Sequence, residues 1–432
     1  MPLGRIVSRG WRLLASVLLT APTAWAEVQA HPPGVPAPPA FSVKVGLGKG
    51  ITISRGEALS LTIRGRLSAR DVVTVVGPTA TNEVALRTAR LVLQGKALSP
   101  SLAYYIQLAL GVADFETLTD TTGKQSLVAS PVFDAYLDFT AWRDLQLRAG
   151  QFFVPFDRAR TIREFSLQFV DRQQLVSELS LDRDIGLMAF SNDLFGWGGR
   201  LAYSLGVFGG QGKNRVVAVP NPVFLWVGRV TLRPMGPFDD DSEGDLGRSA
   251  TPHLAVGLAA AYNGETWRQR STMGTLFLLP GGFKYTHLAA DVVFKFGGFS
   301  LLAEALYRQA DRPSRTGTKD VSDKTIKDLN GNSITSPITE YSRSAWGYTV
   351  QAGLMVTKEL EFVARWNQLR WLGDTDRNLV KTVLQQGREA MVGVNVYMNG
   401  HLFKVQADYT VRFGAGPLPY SHLARVLLDL SL

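Results

Sequence analysis

The chain has 432 residues, with 46 Lys and Arg against 37 Asp and Glu, five His and no Cys. The missing cysteines exclude disulfides, thiolate metal sites and cysteine nucleophiles. A hydrophobic content of 45% and a mean hydropathy near zero exclude a helical membrane protein, because the one long apolar run lies at the N-terminus.

That run opens the chain. Arg5, Arg9 and Arg12 precede the apolar stretch Leu13 to Leu19, and Ala24-Trp25-Ala26 follows as a small-x-small cleavage site. The stretch is too short to span a bilayer and reads as a secretory signal peptide over residues 1–26, with the mature chain expected to begin near Glu27. Losing the three leader arginines takes the formal charge from +9 to about +6. A basic balance is compatible with nucleic acid, anionic lipid, anionic solutes or a plain solvated surface, and export argues against nucleic acid.

Residues 27–42 are expected to be a periplasmic linker, with prolines concentrated over 31–40. Phe41 to Ser54 reads as a short strand-like lead-in around Gly46-Leu47-Gly48-Lys49-Gly50. This cluster lacks the Ser/Thr and the helix of a phosphate loop, so a turn is expected there.

From Leu59 onward the chain alternates apolar and polar residues with period two. In the first segment Leu59, Leu61, Ile63, Gly65 and Leu67 share one face, and Thr62, Arg64, Arg66, Ser68 and Arg70 the other. Sixteen such segments start near 59, 84, 101, 132, 145, 185, 199, 223, 253, 284, 298, 343, 360, 388, 401 and 421. Gly95–Pro100, Ala141–Asp144, Gly297–Gly298, Thr357–Glu359 and Asn399–Gly400 are tight connections. Between them fall long ones at 71–83, 114–131, 154–184, 209–222, 263–283, 311–340, 373–387 and 412–420. One connection expected to be short, Pro234–Pro252, is long, and its run Asp239-Asp240-Asp241 reads as a solvated excursion. Short turns opposite long loops, behind an export signal, describe an all-β chain folded as a transmembrane antiparallel β-barrel of about 16 strands over residues 43–432. Lipid tolerates no open sheet edge, so closure is expected, with apolar faces outward and water inside. Trp142, Trp197, Trp226, Trp346, Trp366 and Trp371, with Tyr104, Tyr203 and Tyr348, suit interfacial girdles.

The alternation assigns twelve inward bases: Arg64, Arg66, Arg70, Arg90, Arg148, Arg200, Arg229, Lys295, Arg308, Arg365, Lys404 and Arg425. The inward acids are Asp134, Asp138, Asp291, Glu304, Glu361, Asp408 and Asp429. The positive excess favours anions in a narrow lumen, against the alternative of salt bridges that cancel. The 154–184 loop is unusually apolar, with Val154, Phe156, Phe165, Leu167, Phe169, Val170, Leu175, Val176 and Leu179. It is expected to pack on the inner wall and narrow the pore, placing Arg158, Arg160, Arg163 and Arg172 at the constriction with Asp157, Glu164 and Asp171 as partners. Folding over the outer rim is the alternative.

Gly150-Gln151-Phe152-Phe153-Val154-Pro155-Phe156 resembles the signature of the phosphate-selective porin O and P family. Leu167-Gln168-Phe169-Val170-Asp171-Arg172, Arg183-Asp184-Ile185-Gly186, Ile63-Arg64-Gly65-Arg66-Leu67, Arg87-Thr88-Ala89-Arg90-Leu91, Val227-Gly228-Arg229-Val230 and Val396-Tyr397-Met398-Asn399-Gly400-His401 extend the resemblance in order and spacing. It implies a homotrimeric porin of the bacterial outer membrane with an inward-folded third extracellular loop, passing small anions such as phosphate or polyphosphate. The candidate anion pathway is then Arg64, Arg66, Arg90, Arg148, Arg158, Arg160, Arg163, Arg172, Arg229 and Arg365. Arginine's planar fork suits phosphate oxygens. Two departures bear, in turn, on assembly and on phosphate selectivity, and the second leaves a general, weakly selective porin open. The chain ends Leu430-Ser431-Leu432 rather than on an aromatic, and lysines are scarce in the first half. An outer-membrane barrel enzyme or a receptor are the rivals from other classes. His31, His253, His287, His401 and His422 accompany no recognisable nucleophile or metal-ligand spacing, so no catalytic site, metal or cofactor is expected.

Overall fold

The computed structural model describes residues 39–111, 116–119, 125–128, 130–214, 223–320, 324–328, 330–414 and 419–432. The expected signal peptide, the proline-rich stretch up to residue 38 and parts of the 114–131, 209–222, 311–340 and 412–420 connections lie outside them. The strands in chain order are β1 (Phe41–Gly46), β2 (Gly50–Arg55), β3 (Leu59–Val76), β4 (Thr79–Lys96), β5 (Leu102–Ala109), β6 (Glu116–Thr119), β7 (Gln125–Val128) and β8 (Val132–Phe139). Then come β9 (Gln146–Phe153), β10 (Arg183–Ser191), β11 (Leu201–Phe208), β12 (Leu225–Leu232), β13 (His253–Thr266), β14 (Arg268–Arg270), β15 (Met273–Leu276) and β16 (Phe283–Phe296). The last are β17 (Phe299–Ala310), β18 (Ser314–Gly317), β19 (Ile338–Tyr341), β20 (Ala345–Met355), β21 (Leu360–Trp371), β22 (Arg388–Tyr397), β23 (Phe403–Arg412) and β24 (Ser421–Ser431).

Sixteen of these form a closed antiparallel ring, and β24 returns to pair with β3 from Ser421↔Val76 to Ser431↔Arg66. They coincide with the sixteen alternating segments of the sequence. The hairpin β1–β2 adds to the ring by pairing β2 with the start of β3, Ile51↔Ile63 to Arg55↔Leu59. β6–β7, β14–β15 and β18–β19 are small hairpins within the long connections. The β16–β17 turn is Gly297-Gly298, both at positive φ (63° and 92°), the backbone that a two-residue hairpin demands. Gly150 has φ 134°, and a Cβ there would sit 2.2 Å from the Ala135 carbonyl oxygen. This close approach accounts for the glycine that opens the Gly-Gln-Phe motif.

Two parts differ from the sequence reading. The stretch 71–83 is not a loop, because β3 and β4 run on for 18 residues each and meet at Gly77-Pro78. Val72, Val73, Val75, Val76 and Val84 give it β-branched content, which favours an extended ladder over a coil. The 234–252 connection is not a solvated excursion. Asp239 and Asp241 are exposed, but Asp240, Ser242, Glu243 and Asp245 are buried. Their carboxylates find partners. Asp240 pairs with Arg158 and Arg233, each at 3.0 Å. Glu243 accepts from the Gln168 backbone N–H (2.6 Å), and Asp245 from that of Gly298 (2.8 Å).

Closure gives every strand an inner and an outer face. Outward positions are large and apolar: Leu137, Leu187, Leu205, Trp226, Leu258, Val392 and Leu428 are 47–61% exposed. All six tryptophans assigned to girdles are exposed. The opposite face is polar and buried, including Asp291, Glu304, Arg308, Glu361, Arg365, Lys404 and Asp429. Of the bases assigned inward, Arg200 lies just before β11 instead, exposed and reaching the Pro234 carbonyl. The turn there ends the alternation one residue early.

The seam of closure is charged. Arg66 on β3 donates through Nε (2.8 Å) and Nη2 to Asp429 on β24, whose side chain is fully buried. Removing one partner of a buried pair costs about 3–5 kcal/mol. Asp429→Ala is therefore expected to lower the temperature at which the folded barrel loses its compact mobility in detergent gels. An unchanged transition would show that the seam does not need this pair.

Candidate permeation pathway

The segment 154–182 determines which inward arginines can meet a solute. Val154, Phe156, Leu175, Val176, Leu179 and Leu181 are completely buried. They cluster with inner-face residues such as Phe208, Leu225, Leu302, Leu306, Ala345 and Leu369. Each such burial contributes about 1.5–3 kcal/mol. Polar contacts tie the same segment to strand after strand. Arg229 on β12 donates to the Phe156 carbonyl (2.8 Å). The Arg158 backbone N–H donates to Glu304 on β17 (2.8 Å). Gln168 donates to Ser300 on β17 and Glu361 on β21, and accepts from Gln351 on β20. Asn395 on β22 donates to the Gln168 carbonyl, and Lys404 on β23 to that of Leu167. The Val170 N–H donates to Asp408 on β23.

Several candidate arginines are consumed by this packing. Arg158 is 4% exposed and held by Asp291 on β16 (2.5 Å) and Asp240 (3.0 Å). Arg229 shares Asp291 (2.5 Å). Arg365 donates to Gln351 (2.7 Å) and lies 4.1 Å above the Phe169 ring. Arg148 is paired with Asp138 (2.7 Å) and stacked 4.0 Å over Tyr136. These four bind protein, and none lines either of the two cavities described next.

The open space lies on the other side of the segment, against β3, β4 and β24. A cavity of about 480 Å³ is lined by Arg70, Arg87, Arg160, Arg172, Lys213, Arg412 and Arg425, with Glu83, Glu164, Asp171 and Asp182. Seven cations thus face four carboxylates. Arg87, Glu164, Asp171 and Arg172 also line a second space of only about 20 Å³, reached with Arg66, Ser68, Thr88 and Leu427.

Two carboxylates of the segment sit among these guanidiniums. Asp171 pairs with Arg70 (2.8 Å), Arg87 (3.5 Å) and Arg425 (3.6 Å). Glu164 pairs with Arg90 (2.9 Å), Arg172 (3.5 Å) and Arg87 (3.8 Å). Burial alone would raise the Glu164 pKa, but Arg90, Arg87 and Arg172 outweigh it and hold the carboxyl well below its ordinary range. Burial and the neighbouring Arg160 bring Arg172 down to about 10, still charged at neutral pH. Asp157, by contrast, is pushed up to about 6 by burial.

Of the other candidates, Arg160 lines the larger cavity and pairs with Asp182. Arg64 donates to Gln94 (2.9 Å), and the exposed Arg163 lies 5.2 Å over the Tyr105 ring. Arg70 and Arg425 had been placed on the inner face without a pathway role. Arg87, Lys213 and Arg412 had not been placed there at all. Arg412 shares parity with Asp408 and Thr410, so the alternation contains it. Arg87 does not follow parity: the register skips it, Ser68↔Thr88 being followed by Ala69↔Leu86, and the bulge frees its side chain to reach Asp171.

Residues 65–218 match the family model described as phosphate-selective porin O and P. No curated relative matches the sequence. Among solved structures, the fold is similar to Salmonella typhi OmpF in its complex with daunomycin, at 13% identity and TM-score 0.54, covering 88% of this chain and 100% of that one. It is also similar to an anion-selective porin from Comamonas acidovorans, at 10% identity and TM-score 0.50, covering 86% and 99%. The fold is that of the outer-membrane porins. With the family match it supports a channel-forming protein of the bacterial outer membrane.

Arg158 is expected to anchor the segment rather than to contact solutes. Arg158→Ala leaves Asp291 with Arg229 alone and Asp240 with Arg233 alone, at a cost below the ~3–5 kcal/mol of a buried charge left with no partner. Trypsin should then cut the folded barrel near Arg160, Arg163 or Arg172, where the wild type is expected to resist. Equal resistance would remove the anchoring role.

Proposed function

We propose that the chain is a porin whose water-filled passage favours small anions, phosphate among them, between the 154–182 segment and the wall formed by β3, β4 and β24. The observation that carries this reading is the cavity of about 480 Å³ with seven cationic side chains against four carboxylates. In a confined space with low-dielectric walls such an excess concentrates anions and repels cations. The segment acts as the constriction. Arg66, Arg87 and Arg172 are its gateposts, Arg70, Arg160, Arg412, Arg425 and Lys213 its wider approach, and Arg64, Arg90 and Arg163 neighbouring guanidiniums. A channel rather than an enzyme is the role that the family match and the fold favour. A homotrimer, and export behind a leader cleaved before Glu27, belong to the same reading.

Reconstitution in a planar bilayer tests it. The protein should give stepwise conductance, and the reversal potential in a salt gradient should show anions favoured. Replacing Arg70 and Arg87 together with Gln should reduce the anion-to-cation permeability ratio roughly fivefold, about 1 kcal/mol for partly screened charges. Equal permeability in the wild type would remove the anion preference and leave a general pore.

A further inference from the structure

Glu164 and Asp171 stand where a passing anion would have to bind. Both line the larger cavity and its narrow continuation. Between them they touch Arg70, Arg87, Arg90, Arg172 and Arg425, and Arg87 bridges the two. Their side chains keep 20% and 22% exposure, against 7% for Arg90, 9% for Arg172 and 4% for Arg425. The carboxylates thus cover Arg90, Arg172 and Arg425 from the open side, while Arg87 at 25% and Arg70 at 15% stay beside them at the cavity. Both come from the same segment and are not wall residues.

We propose that Glu164 and Asp171 are tethered competitors for the anion sites, so that a solute advances by displacing them and the passage favours divalent oxyanions over halides. This rests on the reading of the cavity as an anion route. A carboxylate on a short tether acts at an effective concentration in the millimolar range or above. A halide that replaces it brings the same single charge and no bidentate geometry. A divalent oxyanion brings an additional charge and oxygens that match the guanidinium fork. The displaced carboxylate remains beside its arginines and can return once the solute has moved on. Occupancy by the solute is thereby brief, as conduction requires.

The test uses the full-length protein in planar bilayers bathed in potassium chloride. Inorganic phosphate is expected to block wild-type current in a concentration-dependent way. Glu164→Gln and Asp171→Asn should each lower the half-blocking phosphate concentration, by about tenfold if the tethered group competes at millimolar strength. The charge-retaining Glu164→Asp should stay near the wild type. Heat-modifiable gel mobility verifies that each variant forms its barrel. Sulfate and succinate are run beside phosphate. Block by all three supports the whole divalent class, and block by phosphate and sulfate alone narrows the class to tetrahedral oxyanions. Retained current with the half-blocking concentration unchanged or raised in both neutral variants overturns the proposal, as does a wild type that phosphate does not block. Absence of any wild-type current overturns the channel reading instead, which keeps the two failures distinct.

Discussion

Closure of the ring between β24 and β3 is the constraint on which the rest of the molecule depends. Once the last strand pairs with the first, the sixteen-strand ring is closed, and side chains along it alternate between the lipid face and the enclosed one. The enclosed face carries charges that cannot be left without partners in a confined interior. The Arg66–Asp429 pair at the seam shows the solution in its simplest form. The 154–182 segment and the 234–252 connection extend it by supplying counter-charges that the wall lacks. Asp240 meets Arg158 and Arg233, and Glu178 meets Arg308 and Arg343.

This explains why a simple count of inner charges misleads. The sequence places more bases than acids on the inner face, and most of those bases are neutralised locally. What matters is where pairing leaves cations bordering space. That happens between the segment and β3, β4 and β24. Asp291 illustrates the other outcome, with Arg158 and Arg229 both spent on one carboxylate.

Strand number and facing were legible because a period of two survives without any knowledge of partners. Leu428 and Asp429 betray their faces by alternation alone. Depth and partnership were not legible. Nothing in the spacing distinguishes Arg66, which borders the narrow space, from Arg229, which holds the segment in place. Arg87 was hidden by a bulge, which breaks the periodicity that reveals the others. The 71–83 stretch was misread because its polar and glycine-proline content resembles a loop while its valines sustain a ladder. The acidic 234–252 connection was misread because a cluster of carboxylates is ordinarily solvated, and only the fold brings arginines to it.

The passage is eccentric. The segment is fastened to β12, β16, β17 and β20 to β23, and the two cavities described above lie against β3, β4 and β24. Wall positions therefore divide into two populations with different evolutionary freedom. Changes along the fastened arc bear on whether the barrel holds its insert at all. Changes along β3, β4 and β24 bear on the cavity and on the pairs that Glu164 and Asp171 make there. A lineage built on this plan can retune its diet by altering a few residues of three strands, while the remainder of the inner surface stays committed to holding the molecule together.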